Sequence, residues 1–346
     1  MRKGASLKEI HDKQAWNRII SEFPVSDTYY TWDYHKANEK KDEKSVLLLY
    51  EDSDGAIAFP LVLASIPGRP WNDAHTVYGY GGPINRASTP LTSNDHFAAA
   101  LTDYFKSESV ISVFARLHPF IPNQPALLQS IGEIETRGEV VYMDLSKHEN
   151  AILSGYQSRH RTQTNQSKRN CRIVKEDGEG AYAKFRKIYN ATMDRLKASD
   201  DYYFGDSYYK ILGEARTFAT DYWFAYPMDS DVIIGAGILL KKHPFAQYHL
   251  AGTSESGLLV SPTRALIDAM WRLAKKEGHT IFNLGGGLKS RRDNLFRFKS
   301  HFSKTTAPFR VWKYIADPDK YDELCSKNQF PLNTDFFPGY RISNPT

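Results

Sequence analysis

The stretch IFNLGGGLKSRRDNLFRFKSHF, from Ile281 to Phe302, joins an apolar run, three successive glycines, a basic segment and an aromatic segment. Its first residues predict a β-strand, because such apolar side chains fit the half-buried surface of a sheet. Three glycines directly after a strand allow positive φ angles and let another group approach the main chain closely. Cations follow, and they can meet an anion or a developing negative charge at this point. They are Lys289, Arg291, Arg292, Arg297 and Lys299.

The size and composition of the chain indicate a globular protein with two domains. Its 346 residues exceed the usual size of one hydrophobic core. An apolar content of 41% with 25% charged residues excludes a largely disordered chain. The N-terminal residues lack the apolar core of a signal peptide, and no apolar run approaches the roughly 20 residues that span a bilayer. We therefore expect a cytoplasmic protein without a transmembrane segment.

The two cysteines give no sign of a disulfide framework or a metal site. Cys171 and Cys325 lie far apart in the sequence, with no CxxC motif and no cluster of Cys and His. A structural zinc site needs such a cluster, so we expect free thiols and no bound metal.

Charge is distributed unevenly along the chain. Residues 1–150 contain 15 Lys and Arg against 20 Asp and Glu, a net charge of −5. Residues 151–346 contain 30 against 20, a net charge of +10. The asymmetry indicates that the two parts have different partners, and that the basic part attracts a phosphate-bearing ligand.

The order of predicted elements is the same in both halves of the chain. A helix through Leu7, Trp16 and Ile20 opens the first half, and two strands joined by a turn at 52–55 follow. In each half the predicted order is helix, helix, hairpin, strand, long helix and strand. The last strand of the second half leads into the three glycines. This pattern predicts an α/β (α+β) fold with two tandem units, each a mixed β-sheet flanked by helices. We expect domains at 1–148 and 149–346.

Several stretches together resemble the FemABX-like branch of the GNAT acyltransferase superfamily, close to the FemAB-like (BioF2-like) acetyltransferases. They are Tyr78–Pro83, the basic stretch Arg159–Arg172, Tyr248–Gly252, the helix that Pro262 opens, Leu284–Leu288 and Asp293–Phe302. Their order along the chain is more specific than any one of them. The resemblance implies two tandem GNAT-like domains, with transfer of an acyl group to an amine in a cleft at their interface.

The family divides by acyl donor. Some members use aminoacyl-tRNA to add amino acids to peptidoglycan precursors, and others use acyl-CoA. Some peptidoglycan-modifying relatives carry an acidic residue shortly after the proline that matches Pro83, whereas Ile84-Asn-Arg86 follows here. This chain also has no long heptad segment for a coiled-coil arm. These departures argue against a peptidoglycan precursor as acceptor and favour acyl-CoA as donor.

Acyl transfer to an amine needs a neutral amine, a polarised carbonyl and a way to remove a proton. The sequence shows no Ser or Cys paired with a base, so direct transfer fits better than a covalent intermediate. Lys299 alternates with aromatic residues in a predicted strand, and the resemblance implies that it stabilises the oxyanion or a donor phosphate. The alternative is a solvated lysine on the outer face of that strand.

Tyr248 and His249 are the other candidate catalytic residues. They lie in a predicted strand that ends at Gly252. A histidine can accept a proton near neutral pH, and a tyrosine hydroxyl can donate to a carbonyl. A buried histidine that bonds to a neighbouring strand is the alternative interpretation.

An aromatic loop in the acidic half is a candidate substrate-binding segment. Its candidate residues are Tyr78, Tyr80, Gly81 and Gly82. Aromatic rings stack on sugars or bases, and glycine amides can hold polar groups. A hairpin turn with packed tyrosines is the alternative. Arg116 and His118, at the end of a predicted strand, line the same cleft if the fold is duplicated.

The basic half offers further binding residues. Arg161, Lys168 and Arg172 have the spacing of one helix face, which fits a phosphate-bearing ligand or a solvated surface. In the segment quoted first, the candidate binding residues are Gly285, Gly286, Gly287, Asp293 and Arg297, and Asp293 lies among Arg291, Arg292 and Arg297. Arginines around a buried Asp293 would lower its pKa and make it a poor base, so it either orients an arginine or caps the following turn.

These observations lead to one hypothesis with two alternatives. The chain is expected to transfer an acyl group from acyl-CoA to an amine on an amino sugar or a cell-envelope or polysaccharide precursor, with no metal and no DNA partner. The first alternative is an aminoacyltransferase that uses aminoacyl-tRNA. The second is a non-catalytic module that binds a nucleotide sugar or nucleic acid.

Overall fold

A computed structural model describes residues 5–87, 95–327 and 336–341 of the chain. The strands are β1 (Ser6–Ile10), β2 (Glu43–Asp52), β3 (Gly55–Ser65), β4 (Asn72–His75), β5 (Ile84–Ala87), β6 (Val110–Arg116), β7 (Glu133–Asp144), β8 (Cys171–Glu176), β9 (Ala219–Pro227), β10 (Gly235–Lys242), β11 (Phe245–Thr253), β12 (Ile281–Gly285) and β13 (Thr306–Ile315). The α-helices are α1 (Lys13–Ser21), α2 (Trp32–Asn38), α3 (Asp95–Ser107), α4 (Gln124–Leu128), α5 (Glu149–Ser154), α6 (Ser158–Asn170), α7 (Glu179–Leu196), α8 (Asp206–Glu214), α9 (Thr263–Lys276), α10 (Asn294–Ser300) and α11 (Pro318–Lys327).

These elements form two compact units. The first unit takes in residues 1–137 and 309–346, and the second takes in 138–308. The units differ from the expected ranges 1–148 and 149–346, because the C-terminal segment returns to the first unit. There β13 pairs antiparallel with β6, from Val311 opposite Arg116 to Ile315 opposite Ser112.

The first unit is built on a mixed sheet in the order β1-β2-β3-β4-β6-β13, with β5 added beside β3. The predicted hairpin is confirmed, since β2 and β3 pair antiparallel down to Asp52 opposite Gly55. Helix α3 packs Phe97, Leu101 and Phe105 into a core that also contains Trp312. Buried aromatic side chains of this size supply most of the hydrophobic stabilisation of such a core.

The predicted opening helix is wrong at its start. Residues Ser6–Ile10 form β1, which pairs antiparallel with β2 and places Leu7 opposite Tyr50. The helix α1 begins only at Lys13, where the Asp12 side chain accepts a hydrogen bond from Ala15 N at 2.8 Å. The apolar residues before Lys13 have helical spacing, but pairing with β2 makes this segment a strand. The Asp12 N-cap marks where the helix starts.

The second unit has a mixed sheet in the order β7-β12-β11-β10-β9-β8. Only β11 and β12 are parallel among these neighbours, and α9 provides the crossover between them. Helix α9 buries Leu266, Met270 and Trp271 against the sheet. The pairing of β10 with β11 shifts register between Gly237 and Leu239, which is a β-bulge that bends the strands locally.

A buried carboxylate fixes helix α6 against helix α9. Asp268 of α9 is 2% exposed and accepts hydrogen bonds from Lys168 Nζ at 2.8 Å and Arg272 Nε at 2.9 Å. Beside it, Trp271 Nε1 donates to the Tyr156 hydroxyl at 2.8 Å. A buried carboxylate is tolerated only where cations and hydrogen bonds compensate its lost hydration, so Asp268 holds both helices in one arrangement.

Both cysteines are free and buried. In the described parts of the chain, no helix combines the length and the apolar character needed to cross a bilayer.

Replacing Asp268 with alanine should lower the free energy of unfolding by about 3 kcal/mol, because Lys168 and Arg272 lose their shared partner. Urea denaturation followed by circular dichroism measures this change. The matched control is Asp229→Ala in the exposed turn after β9, which should change the value by less than about 0.5 kcal/mol. Equal effects of the two substitutions would show that the buried carboxylate has no special role.

Candidate active site

The three glycines after β12 begin a tightly seated loop, which we call the glycine loop and define as Gly285–Asp293. Gly285 has a φ of +77°, a value that favours glycine. A Cβ on Gly286 would lie 2.9 Å from the carbonyl oxygen of Glu139, and a Cβ on Gly287 would collide with the carbonyl oxygen of Arg291. Side chains at these positions are therefore excluded by neighbouring backbone.

Strand β7 provides the seat of the glycine loop. A Cβ on Gly138 would collide with the carbonyl oxygen of Ser290, so glycine at this position lets the loop approach the strand. Next to it, the Glu139 side chain pairs with Arg292 and accepts a hydrogen bond from Thr306 Oγ1 at 2.8 Å. Gly138 and Glu139 were not predicted as site residues, because nothing in their local pattern indicates contact with a loop 153 positions away.

The glycine loop holds two non-glycine residues in the left-handed region. Lys289 has a φ of +51° and Ser290 a φ of +61°. Such conformations cost free energy and persist only where surrounding contacts determine them. Here the contacts of the loop with β7 and with Asp293 hold both residues in these conformations.

Asp293 links the glycine loop to helix α10. Its carboxylate accepts hydrogen bonds from Phe296 N at 2.9 Å and from Leu288 N at 3.0 Å. Partial burial acts to raise the pKa of Asp293, but these backbone N–H donors outweigh it and leave the pKa below its usual value. The interpretation that Asp293 caps the following turn is confirmed, and the ionised carboxylate is a weak base.

Lys299 lies on helix α10, so the prediction of a strand is wrong. The alternating aromatic residues imitate a strand, but the Asp293 cap starts a helix that buries Phe296 in the core. The Lys299 side chain is also buried, and its Nζ donates to the carbonyl oxygen of Gly286 at 2.7 Å. Burial lowers the pKa of Lys299 to about 8, against a smaller opposing effect of Asp293. The structure therefore places a hydrogen-bond donor directly against the glycine loop.

Tyr248 and His249 lie on opposite faces of β11, as successive strand residues do. Tyr248 packs against the core that α9 covers, whereas His249 Nε2 lies 2.6 Å from the hydroxyl of Tyr208 on α8. Burial lowers the pKa of His249 to about 3, so the ring is neutral at physiological pH and is a weak base. Burial also raises the pKa of Tyr248, which keeps its hydroxyl protonated. The two side chains therefore do not converge on one reacting group.

The aromatic loop of the first unit comes together with the end of β6. Gly81 N donates to the carbonyl oxygen of Arg116 at 2.7 Å, and His118 N donates to the carbonyl oxygen of Gly81 at 3.0 Å. The rings of Tyr80 and His118 meet edge to face with centroids 5.8 Å apart. The Gly81 amide is thus already engaged within the fold, while Tyr78 is 37% exposed and accessible to a ligand.

A polar network buried below this loop was not predicted. His118 Nε2 lies 2.9 Å from a carboxylate oxygen of Asp27, and both side chains are fully buried. Phe120 N donates to His118 Nδ1 at 3.2 Å, so Nε2 carries the hydrogen that Asp27 accepts. The Gln124 side chain donates to the carbonyl oxygen of Gly81 at 2.9 Å, and its amide group fills the space beside Gly82, whose φ is +94°. His118 and Gly82 therefore position the aromatic loop.

The predicted basic helix face does not form as expected. Helix α6 ends at Asn170, so Arg172 lies in β8, where it pairs with Asp231 at 2.6 Å. Lys168 is engaged by Asp268. Arg161 is exposed on α6 and Arg297 is exposed on α10, and both can reach a ligand. In the described ranges, no group of three or more His, Cys, Asp and Glu side chains is arranged to hold a metal ion.

Several solved structures have folds similar to the fold of this chain. A structure of FemX aligns with 91% of this chain and 99% of its own, with a TM-score of 0.70 and 12% identity. The structure of L-PGS from Bacillus licheniformis aligns over 88% of this chain and 92% of its own, with a TM-score of 0.58 and 12% identity. A tandem GNAT protein from the clavulanic acid biosynthesis pathway aligns with 90% of this chain and 99% of its own, with a TM-score of 0.51 and 10% identity.

The protein therefore has the FemAB-like fold of the GNAT branch, and the predicted α/β (α+β) fold class with tandem GNAT-like units is confirmed. No protein-family model and no curated protein sequence matches the chain.

Replacing Gly287 with alanine should displace the glycine loop and lower the free energy of unfolding by roughly 1–3 kcal/mol, because the new Cβ meets backbone atoms. Thermal and urea denaturation measure the loss. The control is Gly180→Ala in the first turn of α7, where a Cβ meets nothing within 4 Å. That substitution should be neutral or stabilising by up to about 1 kcal/mol. A Gly287 variant as stable as the Gly180 variant would contradict the close seating of the loop.

The lowered pKa of Lys299 predicts a pH dependence of stability. Between pH 8 and the ordinary lysine value of 10.5, the unfolded chain binds more protons at this residue than the folded chain does. The folded state is therefore favoured as pH rises through this window. Relative to Lys299→Met, the wild-type protein should gain stability across it, as urea denaturation at several pH values can show. If the difference in the free energy of unfolding between the wild type and Lys299→Met stays constant with pH, the pKa of Lys299 is not lowered.

Proposed function

We propose that this protein is an N-acyltransferase that acts by direct transfer of an acyl group to an amine. The observation that carries the proposal is the buried Lys299 amine, which donates to the Gly286 carbonyl at the start of the glycine loop. The fold supports it, because the similar structures include a tandem GNAT protein. Fold alone does not specify a reaction, so the assignment depends on this site.

In the proposed reaction the amine nitrogen of the acceptor attacks the acyl carbonyl carbon of the donor. A C–N bond forms, the carbonyl oxygen becomes negatively charged in the tetrahedral intermediate, and collapse breaks the C–S bond to coenzyme A. Lys299 and the main chain of the glycine loop would stabilise the developing charge, since donors held in a water-poor site act strongly there. The amine proton would pass to the leaving thiolate, which fits the weak basicity of both His249 and Asp293.

The proposed donor is acyl-CoA. One of the similar structures, the clavulanic acid pathway protein, is described without AcCoA, which associates that fold with this donor. A single acyl-CoA needs only a few cations for its phosphates, and Arg297 and Arg161 are exposed candidates for them. The +10 charge of residues 151–346 also suits aminoacyl-tRNA, which is the second candidate donor and would make the protein an aminoacyltransferase.

The proposed acceptor is an amine on an amino sugar or on a cell-envelope or polysaccharide precursor. Support comes from the exposed ring of Tyr78, because aromatic rings stack against sugar faces. The Tyr80 ring is held in place by the buried network around His118. A rigid aromatic loop of this kind binds with little loss of conformational freedom.

Replacing Lys299 with methionine should lower the turnover of acyl transfer by about a hundredfold or more, because one donor to the oxyanion is lost. Acetyl-CoA and charged tRNA are compared first by calorimetry, and transfer to an amino sugar is then followed by mass spectrometry. Lys210→Met, on the exposed side of α8, is the control and should retain full activity.

Each result decides between the candidates. Binding of acetyl-CoA with loss of transfer in Lys299→Met supports the proposal. Salt-dependent binding of charged tRNA in its place would make the protein an aminoacyltransferase. Binding of neither donor, or full activity of Lys299→Met, would overturn the assignment.

A further inference from the structure

Two exposed leucines, one in the glycine loop and one in the first turn of helix α10, are not used by the proposed reaction. Leu288 is 51% exposed and Leu295 is 46% exposed. The backbone N–H of Leu288 donates to the Asp293 carboxylate, and Leu295 directly precedes Phe296, whose N–H donates to the same carboxylate, so the backbone of both leucines lies near Asp293. A single exposed leucine is ordinary, whereas two whose backbone is held near one carboxylate offer a small apolar surface.

Three cations lie between these leucines in the sequence. Lys289 and Arg291 are exposed, and within the described residues of the second unit neither makes an ion pair. Arg292 is 72% exposed and shares the Glu139 carboxylate, whose other oxygen accepts from Thr306. The Asp293 carboxylate is occupied by backbone N–H groups. We call the five residues Leu288, Lys289, Arg291, Arg292 and Leu295 the amphiphilic patch, and its net charge is positive.

The backbone under the amphiphilic patch is fixed. Gly138 allows Ser290 to lie against β7, and Asp293 ties Leu288 to the start of α10. Lys289 and Ser290 adopt left-handed conformations that turn the loop sharply between the two leucines. The backbone that carries both leucines is therefore fixed, and the binding of a partner requires no ordering of a flexible segment.

We propose that the amphiphilic patch binds the surface of an anionic phospholipid bilayer. Leucine side chains partition into the region between headgroups and acyl chains, and Lys and Arg near the surface contact lipid phosphates. RNA fits the patch less well, because unpaired bases stack on exposed aromatic side chains and none of the five patch residues is aromatic. Binding of this kind is peripheral and reversible.

The position of the patch has a consequence for the acceptor, and this consequence rests on the proposed function. The same loop carries the Gly286 carbonyl that Lys299 contacts, three positions before Lys289. A protein docked through the patch would hold this site next to the bilayer surface. The acceptor amine would then belong to a lipid-linked molecule or a phospholipid headgroup.

Co-sedimentation of the full chain with vesicles tests the proposal. The wild-type protein should bind vesicles that contain about 30% phosphatidylglycerol in phosphatidylcholine, and binding should weaken several-fold at high salt. The double variant Leu288→Ser, Leu295→Ser should bind roughly tenfold more weakly, because two half-exposed leucines no longer insert. The variant Lys289→Gln, Arg291→Gln should lose the preference for anionic vesicles.

A control leucine and a nucleic-acid arm make the test specific. Leu259 is 95% exposed but lies outside the patch, before α9, so Leu259→Ser should bind vesicles as the wild type does. Equal losses in the Leu259 variant, no vesicle binding at all, or tRNA binding that depends on Lys289 and Arg291 without vesicle binding would each overturn the proposal. Circular dichroism confirms that each variant is folded.

The outcome is separable from that of the proposed function. Lys299→Met should still bind vesicles, because its side chain is buried outside the patch, although it no longer transfers acyl groups. Transfer to a water-soluble amine without vesicle binding would support the proposed function and contradict only the proposal that the patch binds a membrane.

Discussion

The close approach of the glycine loop to strand β7 is the constraint on which the candidate site depends. Three positions on the two segments, Gly138, Gly286 and Gly287, leave no room for a Cβ beside neighbouring carbonyl oxygens. Because these side chains are missing, the backbone of the loop lies directly against neighbouring backbone. This close contact fixes the position of the Gly286 carbonyl that accepts the hydrogen bond from Lys299. A local steric requirement thus decides where the Lys299 amine is held.

Asp293 and Lys299 act on this loop from the two ends of α10, and their electrostatics differ for a physical reason. Asp293 receives backbone N–H donors, which stabilise its charged form despite partial burial. Lys299 donates to one carbonyl oxygen and is buried away from solvent, so its charged form is disfavoured. The loop is therefore tied by a firmly ionised carboxylate and approached by an amine whose charge changes near physiological pH.

The first unit uses a different device to hold its aromatic loop. His118 and Asp27 are hydrogen bonded and fully buried, and Gln124 bridges to the Gly81 carbonyl. Buried polar groups whose hydrogen bonds are all made select one arrangement, because any other would leave a group unpaired. The exposed ring of Tyr78 therefore projects from a rigid base, as the proposed binding of an amino sugar requires.

Local signals in the sequence predicted much of the fold, including the β2–β3 hairpin at Asp52–Gly55, helix α9 and the strand before the glycines, because turn residues, caps and apolar periodicity act over a few positions. The Asp293 cap was also predictable, yet alternating aromatics concealed the helix of Lys299. The return of β13 to β6, the Gly138 seat and the His118 network depend on contacts between distant segments. Only the tertiary structure could decide them, since packing and desolvation are set by neighbours that no local pattern specifies.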